Sequence, residues 1–167
     1  MNKRKSVLAK VLAVGGAAAV TLGVMASPAH ADMKCTGATG SNVCLTIDHL
    51  PDGRYHVRIG IDAHMSRAQA QQYIDHNATP FRAEIVASDI STWPFEGEHS
   101  VYTLNQQGQA GASDEWGLSA NFEATVDRAV LNEDQPPFED DEDDIYAQLT
   151  LLENGQTFKS PKYNQRF

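Results

Sequence analysis

The chain reads as a mainly β protein, an antiparallel β-sandwich carrying one short helix. Three observations predict this. Apolar residues recur at every second position over several separate stretches, the spacing of half-buried strands. Turn-forming groups such as Pro51-Asp52-Gly53 and Asn154-Gly155 stand between those stretches. Only one segment, 66–79, carries both the start and the stop signals of a helix. A closed barrel is the alternative arrangement of the same strands.

The elements follow in order. Residues 1–31 have the make-up of a secretory signal: a basic "MNKRK", an apolar "VLAVGGAAAVTLGVM" and "SPAHA" as an Ala-x-Ala cleavage site. An apolar run of 15 residues falls short of the roughly 20 that a spanning helix needs, so a retained anchor is disfavoured. Cleavage after Ala31 leaves residues 32–167 as one domain, released and extracellular, with no membrane span. In an exported chain Cys35 and Cys44 are expected to form a disulfide, worth about 2.7 kcal/mol for so short a loop.

"VCLTIDH" and "RYHVRIGID" form a hairpin over 43–62. Tyr55, Val57, Ile59 and Ile61 occupy one face of its second strand, with Arg54, His56, Arg58 and Asp62 on the other. Ser66 and Gln69 have the spacing of a capping box, and Pro80 ends the helix that follows. That helix has little apolar area and is expected to lie on a sheet edge. "PFRAEIVASD" and the shorter "HSVYTL" resume the alternation, and "NQQGQAGASDEWG" reads as a polar loop. "LSANFEATVDRAVL" is a long strand that bends near Asp127. "IYAQLTLLE", the Asn-Gly turn and a last strand near "TFKSPKY" complete the count.

Charge narrows the function. The first 31 residues hold four of the 13 basic residues and none of the 22 acidic ones, so the remainder carries nine against 22 and a net charge of −13. Such a surface repels phosphate backbones, which disfavours nucleic acid as a partner. Eight carboxylates fall within residues 132–144. Calcium takes six to eight hard oxygen ligands and tolerates irregular geometry. Glu133, Asp134, Asp140, Asp141 and Asp143, joined by Asp89 from a neighbouring loop, are therefore the candidate metal ligands. Asp114 and Glu115 are further candidates to complete the shell. The spacing does not follow the EF-hand. The plainer reading is a solvated connection between strands, although Phe138 beside Pro136 and Pro137 is apolar enough to pack.

Other chemistry is mostly declined. The five histidines of residues 32–167 lack the paired spacing of zinc ligands. Asp62, His64 and Ser66 lie close in sequence, but Asp62 ends a strand and Ser66 caps a helix, and no nucleophile elbow is present. Trp93 and Trp116 fall in expected loops, where they either plug the end of the sandwich or contact a partner, protein or carbohydrate. "HMSRAQAQ" (64–71) together with "VLNED" and "DDIYAQLTL" (130–151) resembles secreted actinobacterial proteins of uncharacterised activity. That resemblance implies a released single domain and no activity. The expected function is a secreted, non-enzymatic binding or structural module with calcium at the acidic loop. The alternatives are an inhibitor of an extracellular protease, presenting 105–116 or the Pro-Pro segment, and a small hydrolase using carboxylates.

Overall fold

The computed structural model describes residues 32–37, 40–89, 97–132 and 143–167. The expected signal segment, Trp93 and acidic residues 133–142 lie outside the described residues. Among those described, the order of elements is β1 (Asp32–Cys35), β2 (Asn42–His49), β3 (Tyr55–Ala63), α1 (Arg67–His76), β4 (Phe81–Asp89), β5 (Gly97–Ser113) and β6 (Gly117–Val126). Then come α2 (Arg128–Leu131), β7 (Asp143–Leu151), β8 (Thr157–Lys159) and β9 (Tyr163–Gln165).

The mainly β, antiparallel class is as expected. One hydrogen-bonded path runs β1-β2-β3-β6-β5-β4-β7-β8, with β9 also paired to β7, and the sheet curls into a half-barrel with two helices. The curl has a local cause in β5, which is 17 residues long and belongs to both halves. Its first part pairs with β4 from Gly97 to Leu104, and its second part pairs with β6 from Asn105 to Ser113. Between Gln107 and Gly111, residues 108–110 stand opposite Ala120 alone, and Val101 is extra between the pairs Ile85–Tyr102 and Val86–Ser100. Extra residues on one strand bend it and raise its twist. Gly108 takes the positive φ of 68° at the larger irregularity. The Gln106 amide pins it by donating to the carbonyls of Ala78 and Gly108.

This corrects the reading of "NQQGQAGAS" as a loop. Its Gly and Gln content suggests irregular chain, but the residues are strand because the β6 ladder supplies their backbone partners. Two further boundaries differ. β6 stops at Val126, and Arg128–Leu131 is a helical turn. The short strands β1 and β9 have no alternation long enough to be read from sequence.

The hairpin over 43–62 forms as expected, with Gly53 at φ 86° in its turn. The capping box closes as well. The Gln69 N–H donates to Ser66 Oγ at 3.3 Å and the Ser66 N–H to Gln69 Oε1 at 3.1 Å. The helix α1 lies over β5 and β6 and not merely on an edge: Ala70 is fully buried, and Tyr73 and Ile74 pack on the core. Inward residues of β2, β3, β4, β6 and β7 make one cluster, among them Leu45, Val57, Ile59, Ile85, Phe122 and Leu149. Each such side chain contributes roughly 1.5–3 kcal/mol on burial. The two ends of the sheet meet where Lys34 donates to the carbonyl of Lys162 at 3.3 Å and lies over the Tyr163 ring. Phe167, buried in the same region, packs edge-on against Tyr55.

Candidate functional site

Of the six sequence-derived metal candidates, Asp89 and Asp143 are among the described residues. Glu133, Asp134, Asp140, Asp141 and Trp93 lie outside the described residues. Asp89 ends β4 opposite Gly97. Asp143 is buried at the start of β7, where its Oδ2 accepts from the backbone N–H of Phe167 at 3.2 Å and so holds the C-terminal residue. Cys35 and Cys44 form the expected disulfide as directly opposed residues of β1 and β2. Trp116 is at the tip of the β5–β6 hairpin and 51% exposed, so it does not plug an end of the sheet. Among the described residues no group of three His, Cys, Asp or Glu side chains is placed to hold a metal ion.

A concave feature among the described residues lies elsewhere, on the outer face of β1, β2, β3, β6 and β5. It is an open trough of about 440 Å³. Register builds it row by row. Its floor is the line Cys44, Gly60, Asn121 and Gln107 across four strands. One wall is Thr46, Arg58 and Glu123, and the other is Asn42, Asp62 and Ser119. These are the outward residues of strands whose inward residues form the core, so a rigid ladder presents them. Each charged side chain of the lining already makes a contact: Arg58 pairs with Asp48 at 2.8 Å, Glu123 meets the His56 ring at 3.3 Å, and Asp62 accepts from the Ser119 hydroxyl at 2.7 Å.

Gly60 makes the depth. A glycine inside a strand ordinarily marks a bulge, a special backbone angle, or a close approach by another backbone or a ligand. The register of β3 is unbroken on both sides of Gly60. Its φ is not positive, and a Cβ built there would meet nothing nearer than Asn121 Oδ1 at 3.4 Å, an ordinary contact. The contrast is Gly117, at φ 73°, where a Cβ would collide with the Ala63 carbonyl. Gly117 is needed by the fold. Gly60 is not, and a β-branched residue would suit the strand better by up to about 1 kcal/mol.

A second constellation sits on the outer face of β4, β5 and β7. Lys159 reaches Glu98 at 2.7 Å and the Tyr146 hydroxyl at 3.0 Å, and Lys162 reaches Ser88 Oγ at 2.9 Å and Asp144 at 3.6 Å. Glu98 and then Tyr146 hold the Lys159 ammonium above its usual range. The Lys159 hydrogen bond, aided by Tyr146, holds the Glu98 carboxyl below its own, and burial pushes the Tyr146 hydroxyl up. Ser88 beside Lys162 has the look of a nucleophile with its base. The same ammonium is ion-paired to Asp144, so it serves Ser88 as a donor. The cluster is a clamp that ties residues 159–162 to the sheet.

Comparison of the chain with protein-family profiles, curated proteins and solved structures finds no match. The trough is not legible in the sequence for a simple reason. Arg58 and Asp62 are legible as one polar strand face, but their neighbours Asn121 and Ser119 arrive through β3–β6 pairing across a long sequence separation. The one local signal is Gly60 itself, a glycine interrupting that face.

The clamp generates a pH prediction. Lys159, raised above its ordinary 10.5, contributes stability that is present below that value and lost as pH climbs through the folded pKa. Glu98, lowered from 4.5, contributes stability present above that value and lost as pH falls through the folded pKa. Melting of Lys159→Met should therefore lie slightly below the parent in the plateau between, with the difference closing at both extremes. A difference independent of pH would contradict the clamp.

Proposed function

We propose that the chain is an exported, non-enzymatic binding module that holds an uncharged polar ligand in the trough on its outer face. Gly60 carries this reading: the backbone does not require it, and its missing side chain is what leaves the space. The lining supports binding over acid–base chemistry, since Asp62 and Glu123 are each already engaged. Export is supported by the basic and apolar make-up of residues 1–31 and by the Cys35–Cys44 disulfide. Among the described residues no helix is long and apolar enough to cross a membrane. The inhibitor reading is weakened because residues 105–113 belong to β5, which leaves only the 114–116 turn exposed as a loop.

Gly60→Val tests the module directly. Its melting temperature should equal or slightly exceed that of the parent. In two-dimensional NMR, a panel of neutral sugars, amino acids and short peptides should shift the amides of Gly60, Asn121 and Gln107 in the parent and leave the variant unmoved. Shifts that cluster away from the trough, or that persist in Gly60→Val, would refute the reading.

Calcium at the acidic stretch is a second, independent proposal, supported by the eight carboxylates of residues 132–144. Binding there at 100 times the dissociation constant adds about 2.7 kcal/mol, so melting in millimolar calcium should exceed that in chelator. Superimposable curves would return the stretch to a solvated connection.

A further inference from the structure

Resting on the trough reading, we propose that the ligand is an uncharged oligosaccharide lying across the strands. The direction of the trough is the first argument. Its floor runs from the disulfide on β2 to Gln107 on β5, perpendicular to the ladder. A peptide binds a sheet best by adding to an edge, where free backbone groups pair with its own. Here the backbone groups of β2, β3 and β6 are engaged with one another. A peptide across them would have only side chains for its N–H and C=O groups.

Hydroxyls fit that surface better. Asn121, Gln107 and Thr46 each both donate and accept, as sugar hydroxyls do, while Asn42 and Ser119 are partly engaged with Gly37, Cys44 and Asp62. A ligand anion finds Arg58 already paired with Asp48, and the carboxylates of Asp62 and Glu123 are already in contact with the Ser119 hydroxyl and the His56 ring. An acidic glycan also meets a chain whose residues 32–167 carry a net charge of −13.

Length and platform complete the case. From β1 to β5 the outer face spans four strand spacings, about 19 Å, room for several sugar rings end to end. Met33, 63% exposed, and the disulfide give one end a soft apolar surface for the C–H face of a ring. The aromatic side chain at the lining, Phe122, is buried toward the core and offers no ring to stack on. Binding therefore rests on hydrogen bonds summed over successive rings, and affinity must grow with chain length.

The probes are neutral glucose and N-acetylglucosamine tetramers, their monomers, a sulfated tetramer, and an uncharged hexapeptide of Ser, Gly and Thr. Titrated by NMR against the intact protein, at least one neutral tetramer should bind about tenfold or more tighter than its monomer and its sulfated counterpart. Gly60→Val and the milder Asn121→Ala should each weaken it about tenfold or more. Saturation by the hexapeptide with no response to any sugar would overturn the saccharide while leaving the trough in place. Sugar binding unaffected by both variants would overturn the saccharide together with the trough.

Discussion

The structure depends on the antiparallel pairing of β3 with β6. Nine residue pairs run without interruption from Tyr55–Val126 to Ala63–Leu118. Because side chains alternate strictly along paired strands, this register decides both surfaces at once. Val57, Ile59, Ile61, Ala120 and Phe122 go inward and are buried. Arg58, Gly60, Asp62, Ser119 and Asn121 go outward and form the trough. A slip of one residue would exchange the two sets, so the stability of the core and the geometry of the trough are one property.

Around that ladder the sheet bends because β5 bends. Its irregularities at Val101 and at residues 108–110 let one strand serve two halves of the sheet. The ends are then fastened by separate devices. The disulfide fixes β1 on β2, Asp143 holds the backbone of Phe167, and the lysine clamp ties residues 159–162 to β4 and β5. The three lysines of residues 32–167, Lys34, Lys159 and Lys162, all work at this closure. In a chain so acidic, cations placed there stabilise the fold where like charges would otherwise repel.

Local signals are legible in the sequence. Alternation located β3, β4, β6 and β7, and the capping box located α1, because each depends on neighbours within a few residues. What depended on distant partners was not legible. Residues 105–113 are strand because β6 lies beside them, and their composition argues otherwise. The trough joins residues of β2, β3, β5 and β6, which only the topology brings side by side. Acid-rich residues 132–144 drew attention through composition, yet the member the structure describes in the core, Asp143, acts as a fastening for the C-terminus.

Thiol accessibility along one strand tests the central claim most directly. Single cysteines at His56, Arg58, Val57 and Ile59 would be reacted in turn with an uncharged maleimide, the native disulfide left intact. The account predicts rapid labelling at 56 and 58 in the folded protein, with 57 and 59 protected until denaturant is added. Comparable labelling at adjacent positions, or protection that recurs every third or fourth residue, would contradict a two-faced β3 and with it the trough.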